Sequence, residues 1–282
     1  MNRPFFSVIV VSYNAGDKLL QTIRCILDQT CRDVEIVVKD GGGTDGSFEQ
    51  LLKELDLPEY AEETVRENIR IRLFREKDRG IYDAMNCAVE KAEGEYLYFL
   101  NCGDLLHDRD VLELVREKIC SAGSAEPAIW YGDVLEKTSG QIVLANPQMS
   151  HFAMYRYLPC HQACFYHREL FSERGFDLQY RVRADYEHFL WCVIEKNRPA
   201  RPLSLVIADY EGGGYSETEE GLRRSAAEHK SIAQRYFTPK ERFLYRLYLI
   251  ATLQPLRKKL AQNQRTAALY DRIKNAVYRR GH

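Results

Sequence analysis

Phe5-Phe6-Ser7-Val8-Ile9-Val10-Val11-Ser12-Tyr13-Asn14, residues 5–14, opens as a near-continuous apolar and β-branched run and then breaks into polar side chains. Such a run marks a strand buried on both faces. From Lys18 to Gln29 the apolar residues Leu19, Leu20, Ile23, Ile26 and Leu27 recur at helical spacing. The same strand-then-helix pattern returns at 34–39 and 48–55, at 69–74 and 81–92, and at 96–100 and 111–119. Successive units of this kind predict an α/β fold, a mostly parallel sheet flanked by helices with right-handed crossovers. The acidic stretch 56–68 reads as a solvated excursion.

Beyond Ala122 the rhythm changes. Residues 128–135 and 141–144 read as two strands joined at Thr138-Ser139-Gly140, which is hairpin chemistry. A helix over 185–195, a strand over 202–208 and a loop at Glu211-Gly212-Gly213-Gly214 follow. A helix over 218–236 comes next, and Pro239 opens a helical tail.

With 282 residues, 29% charged, 45% hydrophobic and 11% aromatic, the chain excludes a disordered, collagen-like or small disulfide-scaffold protein. No apolar run approaches the ~18–20 residues that span a bilayer, and the apolar start is too short to be a signal peptide. The net charge of −1 conceals an asymmetry: residues 239–282 carry 11 Lys/Arg against 2 Asp/Glu, leaving 29 against 39 in residues 1–238. We therefore divide the chain into an acidic body, 1–238, with halves 1–106 and 107–238, and a basic helical appendage, 239–282. Eight scattered cysteines fit a reducing cytoplasm. Cys160, His161, Cys164 and His167 lie close enough to raise a zinc cluster, with buried thiols and surface histidines as the alternative.

In an open parallel sheet, ligands bind outside the carboxyl ends of the strands. Those ends read Ser12-Tyr13-Asn14, Asp40-Gly41-Gly42-Gly43-Thr44-Asp45-Gly46, Glu76-Lys77-Asp78-Arg79-Gly80 and Asn101-Cys102-Gly103-Asp104, all expected around one cleft. The glycine loop formally matches Gly-x-Gly-x-x-Gly, which admits a Rossmann-type NAD-dependent oxidoreductase. Asp40 stands just before those glycines, however, where a carboxylate repels a pyrophosphate but accepts from a nucleobase N–H or ribose hydroxyl. Asp104 suits a hard divalent cation, Mn²⁺ or Mg²⁺, that takes its remaining ligands from phosphates and water; capping the next helix is the alternative.

Four ordered motifs make the chain resemble family 2 glycosyltransferases of the GT-A type. They are 7–14, 38–47, 76–86 and 94–104, with thinner matches at His161-Gln162, at 184–187 and at Gly213-Gly214-Tyr215-Ser216. The resemblance implies a Rossmann-like nucleotide-diphospho-sugar transferase acting with inversion on a glycan or lipid-linked acceptor. Ser12, Tyr13 and Asn14 would line the nucleotide pocket, Asp40 would bind the base, and Asp78 and Arg79 would approach the nucleotide-sugar. Asn101 to Asp104 resembles the family's metal motif, usually Asp-x-Asp or Asp-x-Asp-Asp; Asn101 and Gly103 replace acids, so Asp104 alone keeps its carboxylate. Asp185 resembles the general base, although Ala184 replaces the acid that usually precedes it. Glu187, two residues on, points elsewhere on a helix and is the poorer choice. His161, Gln162, Arg168 and Ser216 are candidates for diphosphate or acceptor contacts. The departures at Asn101 and Gly103 and the missing acid at Ala184 also admit a non-catalytic nucleotide-sugar-binding module.

In the tail, Phe243, Leu244, Leu247, Tyr248, Leu249 and Ile250 interleave with Arg242 and Arg246, and Arg257-Lys258-Lys259 follows. This reads either as a segment lying on the anionic inner face of a membrane or as helices packed on the body. Nucleic-acid binding is not expected, because the rest of the chain is acidic.

Overall fold

The opening run becomes strand β1 (Phe6–Ser12), with all seven residues buried. A computed structural model describes residues 3–59, 61–212 and 218–251, in two units, 1–232 and 233–282. In the first unit, α1 (Asp17–Leu27) follows β1 and presents Leu19, Leu20, Ile23 and Ile26 to the core. Then come β2 (Val34–Asp40), α2 (Ser47–Glu54), β3 (Glu63–Arg66), β4 (Ile69–Arg75), α3 (Ile81–Lys91) and β5 (Tyr96–Phe99). β6 (Leu105–Leu106), α4 (Val111–Ser121), β7 (Ile129–Glu136), β8 (Gln141–Val143) and α5 (His151–Arg156) follow. The unit is completed by β9 (Cys164–His167), α6 (Ala184–Leu190) and β10 (Ala200–Tyr210), and α7 (Glu219–Tyr236) leads toward α8 (Pro239–Ala251).

One sheet runs in the order β3-β4-β2-β1-β5-β9-β7-β10-β6, with β8 on β7. The four strand ends of the sequence reading belong to its parallel part, β4-β2-β1-β5. The register places Ser12 beside Asp40 and Asp40 beside Arg75, so the polar residues that end these strands fall at one edge. The other half is mixed: β9 is antiparallel to both β5 and β7, while β7 and β10 are parallel. The hairpin forms as β7–β8, pairing Glu136 with Gln141.

Two expectations change. The stretch 56–68 is not merely a solvated excursion, because Glu63–Arg66 pairs antiparallel with β4 as an edge strand. The helix expected over 185–195 is α-helical only over Ala184–Leu190 and continues as a π turn over Trp191–Glu195.

The opposite end of the parallel strands is closed by a buried acid. Glu35 accepts from Ser7 Oγ at 2.6 Å, from Gly94 N at 3.1 Å and from Arg70 at 2.9 Å. Gly94 is required there, since a Cβ would lie 2.4 Å from Ser7 N. Arg168 also belongs to this end, donating to the carbonyls of Glu93 and Ala92. That corrects its expected place beside a diphosphate or acceptor.

Candidate active site

At the carboxyl edge of β1, β2 and β5, a cavity of about 730 Å³ is lined by Ser12, Tyr13, Asn14, Gly41, Gly42, Asp78 and Asn101, among others. Asp40, paired with lining residue Ser12 and followed by lining residues Gly41 and Gly42, is fully buried. Its Oδ1 accepts from the backbone N–H of Gly42 (3.0 Å) and Gly43 (3.1 Å), and Arg75 Nε stands 3.4 Å away. Its Oδ2 is buried without a hydrogen-bond partner, as is Oγ of neighbouring Ser12. An unpartnered buried oxygen costs free energy, so two side by side at a cavity floor are poised for a ligand's polar edge.

Asn14 and Asp78 shape this floor. Asn14 Oδ1 accepts from Thr44 N at 2.8 Å, and a Cβ at Gly43 would meet Asn14 N at 2.8 Å, so the loops after β1 and β2 are pressed together. Asp78 accepts from Gly80 N and stands 3.2 Å from the buried ammonium of Lys39. Lys39 also donates to the carbonyls of Asp40 and Glu76, tying the ends of β2 and β4. Arg79 is not brought to this cavity: it is 79% exposed, paired with Asp83, and faces a separate cavity with Tyr180 and Arg224.

A second cavity of about 500 Å³ shares Lys18, Ile81, Asn101 and Cys102 with the first and adds Tyr82, Asp104, His161, Gln162, Asp185 and Glu211. Asp185, in the first turn of α6, accepts the Tyr82 hydroxyl on Oδ1 at 2.8 Å, while its Oδ2 lies 3.6 Å from His161 Nδ1. Val182 O is a second acceptor for that hydroxyl at 2.9 Å. Burial, aided by the Asp185 charge, pushes the Tyr82 phenol well above its ordinary range, so it stays a neutral donor. Asn101 Nδ2 lies 3.0 Å from His161 Nε2. An amide N–H can only donate, which leaves the ring proton on Nδ1, facing Asp185. Glu187 is buried against Arg174 at 2.9 Å, away from this cavity.

Asp104 Oδ2 accepts from Gln162 Nε2 at 2.9 Å and Oδ1 from Glu211 N at 3.0 Å. Burial raises its carboxyl above the usual range against the opposing pull of those two bonds. Each oxygen keeps a lone pair, and buried Asn101 Oδ1, on the same strand end, has no partner. This all-oxygen, desolvated setting fits a hard divalent cation that completes its shell from phosphates and water. Among the described residues no three His, Cys, Asp or Glu side chains form a ligand group. The zinc reading gives way accordingly: Cys160 Sγ bonds Gln162, Cys164 Sγ bonds Cys160 O, and His161 faces Asn101. Burial lifts the thiols of Cys102 and Cys160 to about 12, which leaves neither a nucleophile.

Gly103 takes φ +99°, where a side chain is disfavoured. Ser216 and the rest of 213–217 lie outside the described residues. Lys18, Tyr82 and Glu211 went unremarked as site residues in the sequence reading. Tyr82 alone carried a signal, inside the motif 76–86.

The family model described as Glycosyl transferase family 2 matches residues 7–169. A PGL/p-HBAD biosynthesis glycosyltransferase of Mycobacterium bovis is 34% identical over 230 residues, 79% of this chain and 85% of that protein. Among solved structures, Staphylococcus aureus TarS 1-349 in complex with UDP-GlcNAc is similar with a TM-score of 0.61 at 16% identity, over 84% of this chain and 68% of that one. The mannosyltransferase PcManGT from Pyrobaculum calidifontis, in complex with GDP-Man and Mn²⁺, is similar with a TM-score of 0.57 at 15% identity, over 96% and 84%. At such identities these structures speak for the fold, a mixed α/β architecture of the GT-A type.

Proposed function

The chain belongs to glycosyl transferase family 2, and we propose that it moves a sugar, with inversion, from a UDP- or GDP-linked donor to a hydroxyl of a glycan or lipid-linked acceptor. The observation that carries the donor assignment is the pair of unpartnered buried oxygens, Asp40 Oδ2 and Ser12 Oγ. A uracil or guanine edge offers an N–H donor beside a carbonyl acceptor, which matches a carboxylate beside a hydroxyl. Tyr13, 66% exposed at the cavity rim, offers a ring face for the base.

The second cavity holds the chemistry in this reading. The acceptor oxygen forms its bond to the anomeric carbon from the face opposite the diphosphate, which leaves with the electron pair of the broken bond. The acceptor proton passes to Asp185 Oδ2, the oxygen not engaged by Tyr82. Tyr82 and His161 fix the plane of that carboxylate. Asp104, with Asn101 beside it, would hold a divalent cation, and such a cation supplies charge to offset that of the departing diphosphate.

The acceptor's setting is proposed from the second unit. None of the α8 side chains is buried, and Phe243, Leu244, Leu247, Tyr248 and Ile250 are exposed beside Arg242 and Arg246. We assign this face to an anionic membrane surface that carries a lipid-linked acceptor. No helix of the described residues is long and apolar enough to cross a membrane.

The test is a thermal-shift panel of UDP- and GDP-sugars with Mn²⁺, where a ligand at a hundred times its Kd stabilises by ~2.7 kcal/mol. Transfer or hydrolysis of the stabilising donor, with NMR assignment of the product anomer, then reads out enzyme activity and inversion. Stabilisation by NAD alone, or binding without any turnover, would refute the proposal.

A further inference from the structure

Gly103 stands where the resemblance expects an acid, and its surroundings show what fills that place. A Cβ on Gly103 would lie 2.4 Å from Glu211 Oε2 and 3.1 Å from Lys18 Cδ. The φ of +99° already disfavours an L side chain there. The volume that an acidic side chain at 103 would enter is thus occupied by a carboxylate from the far end of β10, 107 residues from Asp104.

Glu211 is not there by chance of rotamer alone. Its backbone N–H donates to Asp104 Oδ1 at 3.0 Å, which fixes its main chain against the strand-end motif. Its Oε2 receives the Lys18 ammonium at 2.6 Å. Lys18, Asp104 and Glu211 line one cavity, and Lys18 lines the donor-side cavity as well. With side chains 51% and 41% exposed, the Lys18–Glu211 pair is a surface ion pair, which costs little to exchange.

We propose that Glu211 is the second carboxylate facing the donor's divalent cation, replacing in space the acid absent at 103, and that Lys18 holds its place while no cation is bound. This rests on the reading of Asp104 as the cation's first carboxylate. Two carboxylates, the unpartnered Oδ1 of Asn101 and the donor's phosphate oxygens make an oxygen set of the kind that Mn²⁺ and Mg²⁺ select. Once Glu211 turns to the cation, the Lys18 ammonium is released on the shared wall of the two cavities, where a diphosphate would accept from it.

The experiment is Mn²⁺ binding to the full chain, followed by the EPR signal of free Mn²⁺, with and without UDP. Glu211→Gln should weaken Mn²⁺ binding in the presence of UDP by at least about ten-fold, and Glu211→Asp by less. Lys18→Met should leave Mn²⁺ affinity without UDP equal to or tighter than wild type while weakening UDP. If Glu211→Gln binds Mn²⁺ like wild type while Asp104→Asn does not, the role of Glu211 is refuted and that of Asp104 stands. Wild-type binding by both variants removes the Asp104 reading itself. A Lys18→Met protein with weaker Mn²⁺ binding and unchanged UDP binding overturns the place-holding role.

Discussion

Asp185→Asn separates the proposed base from its scaffold. Asparagine has the same shape and keeps an oxygen where Oδ1 accepts the Tyr82 hydroxyl at 2.8 Å, so the start of α6 stays seated. The new amide N–H then faces His161 Nδ1, 3.6 Å from the present Oδ2. The ring can accept it by moving its proton to Nε2, provided Asn101 turns its unpartnered Oδ1 toward the ring. The fold therefore tolerates the change, but the proton acceptor is gone. Loss of a general base costs about 10² to 10⁴ in rate, roughly 3–5 kcal/mol of barrier. The assay is nucleoside diphosphate release at saturating donor with a panel of glycan and lipid-linked acceptors, alongside UDP or GDP affinity by thermal shift. The expected result is a kcat lower by that factor, with nucleotide affinity measured without metal close to wild type. A kcat within about three-fold of wild type at unchanged KM would refute the assignment of Asp185.

Four other outcomes are open to measurement. Tyr82→Phe removes one hydrogen bond to a carboxylate, worth about 1.5–3 kcal/mol, so kcat should fall about ten-fold or more with donor KM near wild type; an unchanged kcat would refute the positioning role. Asp40→Asn keeps the acceptor for Gly42 N and Gly43 N but turns the other atom into a donor. Nucleotide affinity should then drop by about ten- to a hundred-fold with little change in Tm, and calorimetry decides. His188 is buried among Phe171, Phe176 and Trp191, and burial, then the Arg174 charge, lowers its imidazole to about 3 from 6.5. The unfolded chain therefore takes up a proton that the native one refuses, and stability falls as pH drops from 6.5 toward 3, by several kcal/mol in all. His188→Phe should flatten that slope in Tm against pH, and an identical slope would reject the cause. Gly94→Ala drives a Cβ against the Ser7 backbone and should cost about 1–3 kcal/mol in chemical denaturation, with nucleotide binding per folded molecule retained.

The parallel half of the sheet was legible because strands covered on both faces must be apolar throughout. β1 and β2 are buried at every position, so period and burial coincide in the sequence. β3 was missed because Glu63-Thr64-Val65-Arg66 is a half-exposed edge strand in which Glu63 and apolar Val65 are the exposed positions, so no buried apolar face marks it. The end of β10 was read short because the apolar run stops at Ala208, whereas pairing with β7 continues through Asp209 and Tyr210. The cavity at the carboxyl edge was legible for a related reason: residues that follow parallel strands are local in sequence and share an edge. The other side of the site is not local. Glu211 meets Asp104, and Asp185 meets Tyr82, only through strand orders that put β10 and β9 beside elements far away in the chain. Asp185 was reachable through resemblance, whereas nothing in the sequence near Glu211 distinguishes its carboxylate from that of any residue before a glycine loop.

Strand β2 carries its own control for reading a buried acid as functional. Glu35 and Asp40 lie on it at opposite ends, both fully inaccessible to solvent. Burying a carboxylate is costly, and the cost is met only when its oxygens are bonded and its charge is countered. At Glu35 it is met in full, since Ser7, Gly94 and Arg70 donate to the two oxygens. At Asp40 only one oxygen is bonded, by two glycine N–H groups, and the other has no partner. The sheet therefore supports one acid as structure and leaves the other short of a donor, at the edge where Ser12 Oγ is also unpartnered. A protein stable only by several kcal/mol keeps such a deficit where a ligand removes it. The contrast between these two acids, rather than the mere presence of either, is what supports placing the proposed donor at the carboxyl edge of the sheet.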